Sequence, residues 1–245
     1  MGAPSVASIR EQILRLFVGA EGASLRKEDD QKSRELAGLL AQLARIKKGA
    51  HLVDAAAGKA SVGLVAAALL PIGRLTVLER DGKRVDACRA AAARLDRDVP
   101  VDVRHADVAD ERAWPEAPDA VVALHACGGA ADLVIEGAIR SGARHVFVAP
   151  CCYGDSVTFR ASAAAAVAKM PFAADDVVRR RMTALLVDME RKLRLEAAGY
   201  TTDIEEFVAP TVTPHNLLFC ARRTRSAVRV ARANARLEAL REASR

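Results

Sequence analysis

Aromatic residues are scarce in this chain: one Trp, two Tyr and six Phe among 245 residues. The five cysteines (Cys88, Cys127, Cys151, Cys152 and Cys220) are odd in number and include no C-x-x-C pair, so no disulfide framework is expected. No stretch approaches the roughly 18 uninterrupted apolar residues of a membrane span. Met1 to Arg15 lacks the basic start and apolar run of a signal peptide. These absences argue for a reducing cytoplasm and no membrane partner. No internal repeat is visible. What is abundant is Ala, Val, Leu and Arg. Half the residues are apolar, enough for a full core, and the formal net charge of +6 permits a polyanionic partner without demanding one.

Apolar spacing organises the chain. Residues from about Ser5 to Ala20 read as a short amphipathic helix, ended by Gly19 and Gly22. A polar stretch, 26–32, separates it from a second helix over about Ser33 to Ile46. Short apolar strands then alternate with helices. Strands are read at 51–54, 75–78, 101–104, 120–124 and 145–148, with helices at 62–70, 83–95 and 128–139. Continuous apolar strands alternating with helices imply parallel βαβ units covered on both faces. A long helix over about 175–198, with Val178, Met182, Leu185, Met189 and Leu193 as its core face, precedes two closing strands, 201–208 and 217–221. The reading is a Rossmann-like α/β domain over 49–223. An N-terminal helical segment, 1–48, and a basic helical tail, 224–245, flank it.

Acids close successive strands. Asp54 ends the first, Glu79 the second, and Asp107 follows the third. In doubly wound sheets ligands bind outside the carboxyl ends of the strands, and an acid ending the second strand can accept both ribose hydroxyls of a nucleoside. Asp107 can then accept from an adenine amino group. The turn Asp54-Ala-Ala-Ala-Gly58-Lys59-Ala60 is poor in glycine. It lacks G-x-G-x-x-G, and it fails as a P-loop, because Val53 stands where glycine is needed and Ala60 where Ser or Thr would hold magnesium. A second group, His125-Ala-Cys127-Gly128 with Asp132 and Pro150-Cys151-Cys152-Tyr153, lies at the ends of the fourth and fifth strands. Its cysteine spacings are unusual for a tetrahedral metal site, so no metal ligands are assigned. Arg225, Arg229, Arg232 and Arg236 recur on one helical face that can follow phosphates, with no aromatic side chains to stack on bases.

These motifs resemble a family. Asp54-x-Ala-x-Gly-Lys-Ala is similar to the D-x-G-x-G-K-G loop of a group of class I methyltransferases. His125-Ala-Cys-Gly-x-Ala-x-Asp-Leu133, Pro-Cys-Cys-Tyr153 and Thr213-Pro-His-Asn-Leu-Leu218 resemble that group's later signatures, some of them shared with tRNA ribose 2′-O-methyltransferases of the acceptor stem. The resemblance spans roughly residues 30–223. It departs from the pattern where Ala56 and Ala60 replace loop glycines. It implies a seven-stranded sheet with an antiparallel last hairpin, and S-adenosylmethionine as cofactor. Asp54, Ala56, Gly58, Lys59, Glu79, Asp107 and Leu124 would contact that cofactor, with His125 as proton acceptor. The acceptor expected is RNA, tRNA-like, engaged in part by the Arg-rich tail. A protein or small-molecule acceptor, or an RNA-binding scaffold without catalysis, is the alternative.

Overall fold

The computed structural model describes residues 2–19, 22, 24–171, 175–224 and 226–244. Its centre is a seven-stranded sheet in the order β3-β2-β1-β4-β5-β7-β6. The strands are β1 (Ala50–Ala55), β2 (Ile72–Glu79), β3 (Val101–His105), β4 (Ala120–Ala126), β5 (His145–Pro150), β6 (Tyr200–Glu206) and β7 (Leu217–Arg223). The first five are mutually parallel, and β7 runs antiparallel to both β5 and β6. The strand order reverses between β1 and β4, the point at which such sheets open a crevice.

Alternation along the central strands builds two apolar layers. Leu52, Leu75 and Val77 face one core, which includes α1 (Val6–Ile13), α2 (Lys27–Leu43), α3 (Ser61–Leu69) and part of α4 (Gly82–Ala92). Val53, Leu78, Val121 and Val148 face the other, shared with α5 (Ala130–Arg140) and the end of α7 (Asp176–Ala197). Both faces are thus covered, as continuous apolar strands require. The first two helices share the sheet's own core: Ile9, Leu36, Leu39 and Leu40 are fully buried in it. Short α6 (Arg160–Ala168) and C-terminal α8 (Ala227–Ala243) pack against α7.

Two readings need correction. The polar run 26–32 is not a connector but mostly the opening of α2. The Asp29 carboxylate accepts from the Arg26 backbone N–H at 2.8 Å, and Glu28, Asp29 and Asp30 lie at the positive end of the helix dipole. A run of charges at a helix start is stabilising, not disruptive. On α7 only part of the apolar stripe is core: Leu193 is buried, but Leu185 is 61% exposed and Val178 37%, while Asp188, Glu190 and Arg191 are buried. The helix turns its charges inward because they find partners there. Arg191 pairs with Asp132 at 2.9 Å, and Arg194 with Asp132 and Glu190 at 2.7 and 3.1 Å. Burying charge is tolerated only when it is paired.

Candidate active site at the carboxyl ends of β1, β2 and β4

Between β1 and α3 the chain must turn sharply, and it does so through left-handed backbone. Ala56, Gly58 and Ala60 have φ of 51°, 60° and 55°. These are the three glycine positions of the D-x-G-x-G-K-G pattern, so the loop keeps its conformation with Cβ atoms at two of them. Each alanine there costs about 1–2 kcal/mol relative to a right-handed residue. Gly58 donates its N–H to Glu79 Oε2 at 2.7 Å, and Asp81 donates to Oε1 at 2.9 Å, so the second-strand carboxylate is locked to the loop.

Two cavities open on this rim. One, of about 640 Å³, is lined by Leu78, Glu79, Arg80, Asp107, His125 and Cys127 among others. The other, of about 580 Å³, is lined by Arg26, Lys32, Gly58, Lys59, Leu124 and His125 among others. Ala56, Arg84 and His125 line both, so the two form one trough. Each is of the size that holds a small-molecule ligand. The first presents two carboxylates, suited to ribose and adenine donors. The second presents Arg26, Lys32, Lys59 and Arg84 beside Glu28 and Asp29, a mixed set suited to the carboxylate and the ammonium of an amino acid. A ligand that is nucleoside at one end and amino acid at the other fits this trough, and S-adenosylmethionine is such a ligand.

The expected residues fall in three places. Glu79 and Asp107 line the first cavity, Gly58, Lys59 and Leu124 the second, and Ala56 and His125 both. Asp54 lines neither. It is buried beneath the loop and accepts from the Gly63 N–H, inside α3, at 2.8 Å. Burial pushes its carboxyl up to about 7, against the pull of that hydrogen bond and of the Lys32 charge. Its position makes it a brace of the loop. The thiols of Cys127, Cys151 and Cys152 lie together at the tips of β4 and β5.

His125 occupies a bulge. The register of β4 on β5 shifts between Leu124 and Ala126, and His125 takes φ of 59°. A non-glycine residue there is strained, and such strain is concentrated at functional sites. The bulge turns the imidazole toward α2, where Nε2 lies 2.9 Å from Glu35 Oε2. Glu35 is buried and also accepts from Gln31 at 3.0 Å. Burial alone would raise its carboxyl; the hydrogen bonds from His125 and Gln31 outweigh this and hold it below the usual carboxylate range. An ionised carboxylate only accepts, so Nε2 carries a proton, and in the neutral imidazole Nδ1 keeps the lone pair. Burial also draws the Lys32 ammonium down, opposed by the charges of Glu35 and Asp54.

The sequence motifs thus divide. His125 faces the trough, whereas Asp132 and Tyr153 anchor. Tyr153 donates to Asp188 at 2.7 Å, and the Arg191 guanidinium lies 5.6 Å from the Tyr153 ring centre. Arg191 is fully buried and holds Asp132. Asn216 of the T-P-x-N signature braces the β6–β7 connection through Val208 O at 3.1 Å. Glu35, Lys32 and Arg191 were not found by motif reading.

A seven-stranded sheet of this order, with a nucleoside-plus-amino-acid trough at its switch point, defines the class: this chain carries a class I methyltransferase domain, of the kind that takes S-adenosylmethionine. It belongs to the methyltransferase domain family, whose profile matches residues 31–157. A human glutathione S-transferase C-terminal domain-containing protein is 34% identical over 108 residues, 44% of this chain and 16% of that protein. Its mouse counterpart is 33% identical over 112 residues, 46% of this chain and 17% of that protein. The chain therefore matches a minor part of these longer relatives. Among solved structures, the fibrillarin pre-rRNA processing protein of Methanococcus jannaschii aligns over 76% of this chain and 74% of its own, at TM-score 0.51 and 15% identity. A candidate caffeoyl-CoA O-methyltransferase of Staphylococcus aureus aligns over 90% and 92%, at TM-score 0.50 and 13% identity. At these identities the likeness is one of fold.

Proposed function

We propose that the chain transfers a methyl group to a hydroxyl of RNA, a ribose hydroxyl of a tRNA-like substrate, in the cytoplasm, with His125 as proton acceptor. The observation that carries this reading is the His125–Glu35 pair, 2.9 Å apart, at the junction of the two cavities. A hydroxyl holds its proton at neutral pH and is a poor nucleophile until a base removes it, whereas an amine with a free lone pair needs no such base. Nδ1 of His125 accepts that proton, and the Glu35 carboxylate fixes the tautomer and stabilises the imidazolium. S-adenosylmethionine, when bound, supplies the methyl group from its sulfonium. Glu79 and Asp107 would hold and orient the nucleoside portion, and Gly58, Lys32 and Lys59 the amino-acid portion. Arg26, Lys59, Arg80 and Arg84 around the trough suit a polyanionic acceptor.

The test is to incubate the protein with methyl-labelled cofactor and total cellular RNA, protein or metabolites, and to digest the labelled fraction. Label on a ribose oxygen is expected. His125→Ala should lower the turnover number by about 10²–10⁴-fold with cofactor affinity unchanged. Label confined to protein or small molecules, or a His125→Ala variant with wild-type turnover, would overturn the reading.

A further inference from the structure

We infer that Cys127, Cys151 and Cys152 form a metal site, holding one thiophilic divalent cation, zinc, with a fourth coordination position open beside the cofactor trough. The inference does not depend on the RNA reading. Sequence spacing argues against such a site, because the ligands come from two separate strands. The fold supplies what spacing lacks. Ala126 and Pro150 are paired neighbours on β4 and β5, so the residues that follow them, Cys127 and Cys151, emerge side by side. Their sulfurs are 2.6 Å apart, and Cys152 Sγ lies 3.5 Å from Cys151 Sγ and 3.7 Å from Cys127 Sγ. A tetrahedral ion with Zn–S bonds of about 2.3 Å sets its sulfurs roughly 3.8 Å apart. Two of the three separations are close to that value. The third must open by about 1 Å to reach it, which a χ1 adjustment of the exposed Cys127 can supply.

Three further features favour an ion over three idle thiols. The cluster is odd-numbered, so one disulfide would always strand a third thiol. Its two loops are held from behind: Arg191 donates to Gly128 O at 3.4 Å and pairs with the Asp132 carboxylate, Tyr153 is anchored on Asp188, and Gly129 N–H donates to Ser156 Oγ at 3.1 Å. A ligand set fixed in this way needs little reorganisation to bind. Finally, Cys127 and Cys152 are exposed, Cys151 is buried, and Cys127 lines the 640 Å³ cavity. Three protein ligands, one of them on the cavity wall, match a catalytic zinc site, whose fourth position takes water or an exchangeable oxygen or sulfur donor, whereas structural sites close with four protein ligands.

The experiment is metal analysis of full-length protein purified without a metal-affinity step, followed by Co²⁺ titration of the metal-free protein. One zinc per chain is expected, and Co²⁺ should give tetrahedral visible bands with thiolate charge transfer. Adding 2-mercaptoethanol should shift those bands through the open position. Cys152→Ser should weaken Co²⁺ binding on the order of tenfold or more with circular dichroism and melting unchanged. Cys220→Ser, on β7, should leave stoichiometry intact and controls for adventitious thiol binding. Zinc-free protein that gives no thiolate band with Co²⁺ would overturn the site. So would a Cys127–Cys151 disulfide in freshly purified protein. Bands that ignore the added thiol would overturn the open position.

Discussion

At the residue scale, the cofactor loop contains its own controls. Ala56 and Ala60 both hold left-handed backbone, but Ala56 is only half-buried whereas the Ala60 methyl is fully buried. Ala56→Gly removes the left-handed cost of about 1–2 kcal/mol and adds about 0.5–1 kcal/mol of chain entropy, a net gain. Ala60→Gly forfeits in addition about 0.8 kcal/mol of buried methyl, so it should be near neutral. Thermal melting should therefore rank Ala56→Gly above wild type and Ala60→Gly beside it, with calorimetry showing no loss of cofactor affinity in either. Asp54 makes a pH prediction. A carboxyl whose pKa is higher in the fold than in the unfolded chain favours the fold while it is protonated. For Asp54 that contribution is complete below the unfolded value near 3.8 and is lost as pH rises through about 7. The wild type should lose on the order of 2 kcal/mol between pH 5 and 7 from this group. Asp54→Asn keeps an oxygen for the Gly63 N–H and has nothing to titrate. Urea denaturation across this range should give a flatter profile for the variant, and an unchanged slope would refute the buried-acid assignment. Loop acids and their strand ends were legible in sequence because each is local: an acid at or just after the end of a short, mostly apolar run. Whether an acid touches ligand or props the loop was not, since Asp54 and Glu79 have the same sequence context.

At the element scale, two helices position the chemistry and neither announced it. Glu35 reaches His125 across 90 residues of chain, a pairing made by the packing of α2 and invisible to spacing. Its place depends on Gly38. A Cβ there would come 2.0 Å from the backbone oxygen of Phe207, so α2 lies directly on that segment. Alanine is the better helix former, yet Gly38→Ala should destabilise by about 1–3 kcal/mol through overpacking. It should also lower turnover by moving Glu35, with cofactor affinity less affected. Denaturation midpoints and steady-state kinetics read the two effects separately. On α7 the apolar stripe misled because hydrophobic periodicity assumes that charges face water. Arg191→Met tests the inversion. It leaves Asp188 buried without its guanidinium and Asp132 with Arg194 alone, a loss of about 3–5 kcal/mol. A variant as stable as wild type in chemical denaturation would show that the network contributes nothing net. The strands, by contrast, were readable to within one to three residues at most ends, since a buried parallel strand must be apolar on both faces.

At the scale of the whole molecule, the architecture follows from the alternation of strands and helices, but where charge falls on it does not. The Arg stripe is a case in point. Arg225 lies outside the described residues; Arg229, Arg232 and Arg236 sit exposed on α8. Arg229 donates to Thr201 Oγ1 at 3.2 Å, and Thr201 pairs with Arg222, which pairs with His145 at the start of β5. The start of the stripe is therefore at the amino ends of the parallel strands, the side of the sheet away from the trough. A β5-length strand spans about 20 Å, so an RNA that touches both the trough and the stripe must run along the flank of the molecule. The two basic regions then have separable duties. With RNA as the proposed acceptor, cations at the trough such as Arg80 and Arg84 would act on the reacting nucleotide, while the stripe would add affinity without regard to sequence. Converting Arg229, Arg232 and Arg236 to Gln should flatten the log–log salt dependence of single-stranded RNA binding by about two units, at about 0.7 per phosphate contact. Turnover at saturating RNA should be unchanged, because the stripe is remote from His125. Arg84→Gln should do the reverse, lowering turnover with a salt slope changed by less than one contact. Salt titrations of RNA binding beside single-turnover methylation distinguish the two. Equal slopes for wild type and the triple variant would make α8 a solvated helix that only packs on α7, and would leave the cations of the trough as the whole of the RNA-facing charge.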